Sequence, residues 1–374
     1  MTVKEKISKL ETWYVKIQTP NPVTLGGILV TSRDFVFLRV TSEDGFQGVA
    51  YSLTRGAPLD SIIQDLISPR VIGLDSSDTS GIIGQLENHF PMLGLVGLLR
   101  RAQSLLDIAL WDLNGKRLGT PVYKLLGKET RKPKIILVAP FRSKDLSIDE
   151  YASRVANLES PDVSMIKLYP EESIEDCAKL TKQVRRAIGE ETEIILDFAW
   201  RWRNPLDVLD AIDQLSQTPL AWIEDPLPLS NYSGLAAVKE KSPMPIAAGD
   251  EASTPADIWK VIESKAVDVL RLDPTCAGGL TAVRDLAFAA EASGVPMSTH
   301  IYPEINRHVA IALPSLGLVE TFESMNPFWG LEAYIETPKV SEFTLLPEAP
   351  GLGLEIRWDH LTAHSSRYLT SSTN

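Results

Sequence analysis

Hydrophobic and polar positions divide the chain into two regions with different periodicity. Near the N-terminus, two strand-like segments are followed by an Asp-Gly turn and a return strand, at residues 13–17, 34–40 and 46–51. Such segments broken by Asp-Gly indicate a hairpin. From about residue 59 the pattern becomes helical, most clearly over residues 97–118, where apolar residues recur every three or four positions. A small antiparallel sheet followed by helices predicts an α+β domain over residues 1–130.

Beyond Lys134 the pattern becomes regular, because short apolar segments alternate with amphipathic ones. The eight predicted strands are 135–140, 164–169, 193–198, 220–225, 245–250, 267–273, 295–300 and 318–322. The clearest helical segments between them are 174–188, 205–215, 256–266 and 280–292. Strands that alternate with helices indicate parallel βαβ units. Eight of them predict a (β/α)8-type barrel rather than an open doubly wound sheet, and no G-x-G-x-x-G follows the first strand.

Composition narrows the class of protein without identifying it. The 374 residues are 44% apolar and 23% charged, as in soluble globular proteins. The net charge of −12 gives no support for binding nucleic acid or an anionic membrane. Two cysteines, no signal-peptide pattern and no apolar run of membrane-spanning length predict a cytoplasmic protein. The Ser/Thr-rich end, residues 364–374, is expected to form a loose tail.

Acidic residues and one histidine come at the ends of five successive predicted strands. They are spaced 23 to 27 residues apart, about one βα unit, and are Asp197, Glu224, Asp250, Asp273 and His300. In a barrel, the C-terminal ends of the strands converge on one mouth, where active sites of this fold lie. A single Asp in such a place is usually a helix cap, but five successive strands favour a site. The first three carboxylates would repel one another without a cation, and oxygen ligands suit Mg²⁺.

Two residue pairs add candidate chemistry to this mouth. Lys167 and Tyr169 are two positions apart in a strand, so they face the same side. A buried lysine needs a charged partner, whereas Tyr169 taken alone is better explained as a core residue. Asp273 and His300, on neighbouring strands, are predicted to form a carboxylate–imidazole dyad, in which the carboxylate fixes the imidazole tautomer. The alternative for His300 is a hydrogen-bonded core histidine.

Over nearly its whole length the sequence resembles the enolase superfamily, specifically its mandelate racemase-like subgroup. The resemblance includes Ala-Leu-Trp-Asp-Leu-Asn-Gly-Lys at 109–116, the strand end Glu-Asp-Pro at 224–226 and Pro-Gly-Leu-Gly at 350–353. It implies an α/β fold, with a (β/α)7β TIM-like barrel over residues 131–340. The N-terminal α+β capping domain would be completed by residues 341–374, which pack back on it. Members of that family are usually oligomeric, so a homo-oligomer is expected.

The resemblance implies a set of metal ligands. Asp197, Glu224 and Asp250 match the positions that bind Mg²⁺ in that family. Asp225 and Glu251 are adjacent acidic residues and therefore rival ligands. Strand alternation is expected to turn these two away from the mouth, so that their role would be structural.

The resemblance also implies the catalytic groups. Asp273, with Gly278 and Gly279 shortly after it, and His300 match the family's Asp–His dyad. Glu320 is similar to the glutamate of the last strand that hydrogen-bonds the substrate carboxylate, which Lys167 would contact from the other side. The substrate is thus expected to be a small-molecule carboxylate, such as an acid sugar or a 2-hydroxy acid.

Two positions depart from the family pattern. The usual Lys-x-Lys of the second barrel strand is here Lys167 followed two positions later by Tyr169, so a phenol replaces the second lysine. The usual Asp-x-Asn of the third strand ends in Ala199, which removes an amide that often meets the substrate. The following residues 200–203, Trp-Arg-Trp-Arg, are either pocket-shaping or ordinary loop residues.

These departures bear on the predicted reaction, which begins with removal of a proton α to a carboxylate. Racemisation needs an acid or base on each face of the substrate, whereas dehydration needs one imidazole. We therefore expect dehydration of an acid sugar to a 2-keto-3-deoxy acid. The alternatives are a racemase or epimerase, a lactone cycloisomerase and, least favoured, a barrel without catalysis. Arg142 and Arg201 are candidates to meet a second carboxylate, and the sugar is expected to depend on cap loops at 26–31 and 51–56.

Overall fold

The computed structural model describes residues 5–25, 28–127, 130–313, 317–322 and 330–373. Within these residues the strands form two sheets, an antiparallel one of four strands and a parallel one of eight. Both sheets contribute residues to the cavity that holds the candidate site. In this part of the chain, no helix combines the length and apolar character that crossing a bilayer would require.

The antiparallel sheet begins with three consecutive strands joined by hairpins. They are β1 (Ile7–Leu25), β2 (Ile28–Ser42) and β3 (Gln47–Leu53). At the Asp-Gly turn, Gly45 takes a left-handed φ of 89°, which glycine adopts without steric cost, and its amide donates to the Ser42 carbonyl at 3.0 Å. The predicted hairpin is therefore confirmed, although β1 and β2 are much longer than the segments predicted from alternation.

Helices of the N-terminal region follow this sheet, and the longest of them packs directly against it. They are α1 (Leu59–Ile62), α2 (Ser68–Val71), α3 (Thr79–His89), α4 (Gly97–Arg117) and α5 (Val122–Leu126), and a π-helical turn (Ile63–Ile67) joins the first two. The helix predicted at 97–118 is thus present. It lies so close to β3 that a Cβ atom on Gly48 would be 1.9 Å from the Ala109 carbonyl oxygen. Gly48 therefore permits direct contact between helix and sheet.

The parallel sheet forms the barrel. Its strands are β4 (Lys134–Val138), β5 (Val163–Leu168), β6 (Glu193–Asp197), β7 (Trp222–Glu224), β8 (Ile246–Ala248), β9 (Val269–Leu272), β10 (Met297–Thr299) and β11 (Leu318–Phe322). Each strand pairs with the next from β4 to β10, and β11 pairs with β4. The remaining gap is bridged by the Thr299 hydroxyl, which donates to the Leu318 carbonyl at 2.9 Å. All eight predicted strands are confirmed.

One helix follows each barrel strand except the last. They are α6 (Ile148–Ala156), α7 (Ile174–Ile188), α8 (Pro205–Leu215), α9 (Tyr232–Lys241), α10 (Pro255–Glu263), α11 (Gly279–Ala292) and α12 (Pro303–Ala312). The first five begin at residues whose side chains accept a hydrogen bond from the first turn, namely Ser147, Ser173, Asn204, Asn231 and Thr254. Among the described residues this is the (β/α)7β arrangement, and the predicted fold class is confirmed.

The C-terminal segment returns to the antiparallel sheet. After a 3₁₀ turn (Val340–Thr344) come α13 (Trp358–His364) and β12 (Arg367–Ser372), and β12 pairs antiparallel with β1. The expectation of a loose tail is therefore wrong for β12. The Tyr368 ring packs 5.1 Å from that of Trp13, and its hydroxyl donates to Glu11 at 2.7 Å. The Ser/Thr-rich composition predicted a loose tail. That prediction fails because β12 is held by backbone pairing with a strand at the other end of the chain, and such pairing leaves no signal in the local sequence.

A buried aspartate explains why two motifs at opposite ends of the chain belong together. Asp112, in the motif on α4, accepts hydrogen bonds from the Val49 amide at 2.8 Å and the Leu352 amide at 2.7 Å. One side chain thus ties the cap sheet, α4 and the Pro-Gly-Leu-Gly segment together. Gly115 on the same helix lies against Gly351, where a Cβ atom would meet backbone at 2.7 Å.

The domain boundaries at residues 130 and 340 remain a prediction.

His308 on α12 makes a second connection between barrel and cap. Its Nδ1 accepts from the Tyr123 amide at 3.2 Å, and its Nε2 lies 3.0 Å from the Leu352 carbonyl oxygen, to which it donates. This pairing uses the neutral imidazole. Burial, aided by the positive charge of Arg307, lowers the pKa of His308 to about 3. The folded protein therefore resists protonation of this residue.

Acidification should destabilise the protein through His308. The unfolded imidazole binds a proton below about pH 6.5 and the folded one only near pH 3, so the unfolded state binds more protons between these values. We expect the free energy of unfolding to fall by about 2 kcal/mol from this residue between pH 6.5 and 5. Urea unfolding at both pH values of the wild type and His308→Gln, which does not titrate, measures this contribution. The exposed His89→Gln serves as control, and an equal pH dependence in wild type and His308→Gln would contradict the assignment.

Candidate active site

The residues predicted from the strand ends lie together at one end of the barrel. Asp197 and Glu224 are the last residues of β6 and β7, whereas Asp250, Asp273 and His300 lie one or two positions beyond β8, β9 and β10. A cavity at this end is lined, among others, by the side chains of Lys167, Tyr169, Asp197, Asp250, His300 and Glu320. The structure thus brings the predicted residues together.

Lys167 is the buried cation at the centre of this cluster. Its Nζ lies 2.9 Å from Glu224, 3.0 Å from Glu320 and 3.3 Å from Asp197. Burial opposes the charged ammonium, but these three carboxylates outweigh it and hold the pKa of Lys167 well above its ordinary value. Lys167 is therefore held as a charged hydrogen-bond donor that faces the cavity.

Arg271 in β9 is a second buried cation, which the sequence analysis did not single out. Its Nε lies 3.0 Å from Asp250 and 3.3 Å from Glu224, and its terminal nitrogens contact Ser298 at 2.7 Å and Glu320. The side chain is fully buried inside the barrel. A signal for it was present, because Arg271 is two positions before Asp273 and an arginine within a buried strand needs acidic partners.

Asp273 and His300 form the predicted pair. The distance from His300 Nδ1 to Asp273 Oδ2 is 3.1 Å, and the other oxygen of Asp273 accepts from the Thr275 amide at 2.7 Å. His300 Nε2 points to the opposite side, 3.4 Å from Asp250. Burial disfavours the imidazolium, but Asp250 and Asp273 outweigh this effect and raise the pKa of His300. Asp273 thus orients the ring so that Nε2 faces the cavity.

The backbone that follows His300 is strained and held by the cap. Ile301 and Tyr302 have φ values of 37° and 45°, in the left-handed region that β-branched and bulky residues rarely adopt. The Asn306 side chain donates to the His300 carbonyl at 2.8 Å, and the Tyr302 hydroxyl accepts from the Leu53 amide of β3 at 3.0 Å. The cap strand therefore helps to fix the turn that carries the imidazole.

The three predicted metal ligands are held by protein donors. Besides the two cations, the Ala199 amide donates to Asp197 and Trp222 Nε1 donates to Glu224, each at 2.9 Å. Within the described residues, no group of three His, Cys, Asp or Glu side chains is arranged around one point as metal ligands. Lys167 contacts Asp197 and Glu224, and Arg271 contacts Glu224 and Asp250, so these two cations neutralise the three carboxylates here, and the convergence of the three on one ion stays a prediction.

The chemistry of the donor set nevertheless fits a hard divalent cation. Burial, together with Glu224 and other neighbouring carboxylates, raises the pKa of Asp197 to about 7 and that of Asp250 to about 6. Asp225 is also buried among them, and its Oδ1 has no hydrogen-bond partner. Mutual repulsion of this kind and an unpaired buried oxygen are both relieved by an oxygen-binding cation.

Asp225 and Glu251 are not turned away from the cavity as strand alternation predicts. Asp225 has a φ of 44° and lines the inner cavity, because β7 has already ended at Glu224. Glu251 follows β8 after Gly249, whose φ of 133° also interrupts the strand, and it lines the outer part of the cavity. The structural part of the expectation holds for Glu251, which forms ion pairs with two cap residues, Arg55 and Arg101.

Tyr169 stands where the family pattern has a lysine. Its ring stacks on Phe141 with centroids 3.6 Å apart and an angle of 8° between the planes. Burial raises the pKa of the Tyr169 phenol above its ordinary value, and the nearby charge of Lys167 does not reverse this shift. Burial therefore favours the neutral form of the phenol.

The candidate arginines for a second carboxylate lie outside the cavity. Arg142 binds the Glu171 carboxylate at 2.6 and 2.7 Å, and Arg201 donates to the backbone carbonyl of Glu171 at 2.8 Å. Of the segment 200–203, Trp200 and Arg203 line the cavity. Both interpretations of that segment are thus partly correct, and the cap loops remain relevant, although residues 26 and 27 lie outside the described part of the chain.

Comparison with known proteins assigns the chain to a family. Residues 9–127 match the N-terminal domain of mandelate racemase / muconate lactonizing enzyme, and residues 150–360 match the enolase C-terminal domain-like family. The chain therefore belongs to the mandelate racemase/muconate lactonizing enzyme family of the enolase superfamily, and the resemblance noted from its motifs is confirmed.

Three similar proteins illustrate the range of that family. D-galactarolactone cycloisomerase from Agrobacterium fabrum is 26% identical, with 96% of this chain and 98% of that protein covered. L-talarate/galactarate dehydratase from Salmonella typhimurium is 26% identical, with 89% and 84% covered. The crystal structure of an enolase from Bradyrhizobium, complexed with magnesium and mandelic acid, is 28% identical, covers 98% of this chain and 100% of its own, and superposes with a TM-score of 0.86. Relatives thus include cycloisomerases and dehydratases, and related structures contain magnesium.

Proposed function

We propose that this protein removes a proton α to a carboxylate in a Mg²⁺-dependent reaction and dehydrates an acid sugar to a 2-keto-3-deoxy acid. The observation that supports the proposal is that, among the described cavity residues not assigned to the metal, His300 is the one whose contacts suit a base. His300 is oriented by Asp273 at 3.1 Å, whereas the Lys167 ammonium is surrounded by three carboxylates and Tyr169 is stacked on Phe141. A single imidazole suffices for dehydration, because it takes the α-proton and then returns a proton to the departing hydroxyl.

The carboxylates and the dyad divide the work of the reaction. Asp197, Glu224 and Asp250 would hold the Mg²⁺, which supplies a fixed positive charge beside the negative charge that develops on the substrate carboxylate. His300 Nε2 receives the α-proton, while Nδ1–H donates to Asp273 and keeps the ring in the correct tautomer. This charge-assisted hydrogen bond stabilises the imidazolium until the leaving hydroxyl takes its proton.

Lys167 and Glu320 prepare the place where the substrate carboxylate binds. The Lys167 ammonium lines the cavity and can donate to a substrate carboxylate oxygen. Glu320 accepts from Lys167 at 3.0 Å and also binds Arg271, so it holds both cations in position. Burial opposes ionisation of Glu320, but Lys167 and Arg271 outweigh it and lower its pKa to about 2. The similarity to L-talarate/galactarate dehydratase gives further support to the proposed dehydration.

The experiment is a screen of the Mg²⁺-loaded protein against acid sugars of varied configuration, run in D2O. Formation of a 2-keto-3-deoxy acid, followed as the carbonyl product, is the expected result. Recovered substrate with inverted configuration and no carbonyl product would indicate a racemase or epimerase instead, and ring opening or closure of a lactone would indicate a cycloisomerase. No product and no deuterium uptake with any substrate would favour a non-catalytic barrel.

A homo-oligomer, a cytoplasmic location and the lack of nucleic-acid or membrane partners stay predictions.

Replacement of Tyr169 by phenylalanine should lower the catalytic efficiency only moderately. The variant keeps the ring stacked on Phe141 and deletes one hydroxyl, so we expect kcat/KM to fall by the equivalent of about 1–3 kcal/mol, as for one polar contact. Product formation and deuterium uptake into recovered substrate, measured in D2O, check this. Loss of product formation with continued exchange of the α-proton would show that Tyr169 is the acid or base on the second face.

A further inference from the structure

The cavity extends well beyond the catalytic residues. The inner part, with Lys167 and His300, opens into an outer chamber of about 700 Å³. The two parts share walls from the cap and the barrel, including Leu25, Arg33, Leu53, Arg55 and Trp200. A substrate held at the catalytic end and long enough to extend outward would therefore meet these five residues with its far end.

Charges are separated along this cavity. The inner end is dominated by carboxylates, from Asp197 to Glu320, with two buried cations among them. The outer chamber is lined by three arginines, Arg33, Arg55 and Arg203, and by the acidic residues Asp34 and Glu251. Glu251 is shared between Arg55 and a further arginine, Arg101. The outer wall thus carries more positive than negative charge.

Arg33 occupies the boundary between the two parts. It lies on β2, opposite Ile17 of β1, and its exposed fraction is 7%. Burial, with a further contribution from the positive charge of Arg55, lowers the pKa of Arg33 to about 9. Arg55 lies in the loop after β3, and 37% of its side chain is exposed toward the open chamber. A buried guanidinium with a second one beside it is stabilised when an anion binds both.

We propose that the substrate carries a second carboxylate at the end remote from the reaction, and that Arg33 and Arg55 bind it. The substrate is then a sugar diacid rather than a sugar monoacid. This inference rests on the proposed function, because it places the reacting carboxylate beside Lys167 and His300. Guanidinium groups match the planar carboxylate with paired N–H donors, and Arg33 and Arg55 border both parts of the cavity.

The test compares pairs of sugar acids that have the same configuration and differ only at one end. An aldarate has a carboxylate where the matching aldonate has a hydroxymethyl group, as in galactarate against galactonate and glucarate against gluconate. Binding is measured by calorimetry on the Mg²⁺-loaded His300→Asn variant, so that turnover does not interfere. We expect the better-bound aldarate to bind about 10–100-fold more tightly than its aldonate, as for a hydrogen-bonded charge.

Substitution of the two arginines locates this preference. Arg33→Met, and separately Arg55→Met, each introduced into the His300→Asn protein, should reduce the preference at least several-fold and leave aldonate binding nearly unchanged. If Arg33→Met fails to fold, Arg33→Lys replaces it in the test. Lysine keeps the charge without the paired donors, so this variant should retain only part of the preference. Arg142→Gln is the matched control, since Arg142 is an arginine of the barrel loops that is bound to Glu171. It should leave the preference intact.

The outcomes separate this inference from the proposed function. Equal binding of aldarate and aldonate, or a preference that survives both methionine variants, would overturn the inference even if the wild type dehydrates aldonates. Tightest binding of an aldonate that carries a terminal phosphate would identify a phosphate subsite and would also overturn it. A clear aldarate preference that depends on Arg33 supports the inference even if the wild type racemises these compounds rather than dehydrating them.

Discussion

Replacement of His300 by asparagine should lower kcat by about 10²–10⁴-fold, the range for loss of a general acid–base group. Asparagine keeps the approximate size of the ring and can still donate to Asp273, which lies 3.1 Å from His300 Nδ1. We therefore expect the fold and the binding of Mg²⁺ to persist. Deuterium uptake into the substrate α-position should disappear together with product formation, because one group performs both steps.

Asp273→Asn provides a graded comparison for this result. The imidazole remains in that variant but loses the carboxylate that fixes its tautomer, so the loss in kcat should be smaller than for His300→Asn. Circular dichroism and thermal unfolding establish that both variants are folded. A near-wild-type rate in His300→Asn would refute the assignment and would transfer the base function to Lys167 or Tyr169.

Removal of divalent cations with EDTA should abolish activity, and added Mg²⁺ should restore it. Without a cation, no fixed positive charge stabilises the negative charge that develops on the substrate carboxylate. The activation free energy for removal of the α-proton then becomes too high for measurable turnover. Calorimetric titration with Mg²⁺ gives a readout independent of turnover. Glu224→Gln removes one negative charge with little change of shape. Because a charged ligand is lost, this variant should bind Mg²⁺ about 10-fold more weakly or worse.

A matched control separates a ligand from general negative charge. Glu172 is a barrel-loop glutamate with 89% of its side chain exposed, and Glu172→Gln removes the same charge from the surface. This variant should bind Mg²⁺ as the wild type does. Full activity in excess chelator, or equal Mg²⁺ affinity in the Glu224 and Glu172 variants, would contradict the metal assignment.

The barrel could be predicted from the sequence because its strands repeat at nearly constant intervals and end in chemically distinctive residues. The interval alone places Asp197, Glu224, Asp250 and the dyad at one end of the sheet. Their detailed contacts could not be predicted in the same way. Arg271 lies inside an otherwise apolar strand, which indicates that it needs acidic partners, but the strand does not indicate which three carboxylates surround it.

The side-chain orientation of two residues just beyond a strand, Asp225 and Glu251, also escaped prediction. The rule that successive side chains alternate holds only while the backbone stays extended, and Asp225 adopts a φ of 44° directly after β7. Residues contributed by the cap are harder still. The expected cap loop 51–56 contains Arg55, but Arg33 on β2 lies outside both expected loops, and no local pattern in the chain records that it reaches the cavity.

The pairing of the first and last strands has a consequence for protein synthesis. Glu11 of β1 and Tyr368 of β12 are hydrogen-bonded partners 357 positions apart in the chain. At the usual rate of translation, roughly 20–70 s separate their appearance at the ribosome. During that interval the outer edge of β1 lacks its final neighbour and presents unpaired amide and carbonyl groups. Until β12 emerges, this edge is therefore open to pairing with other chains.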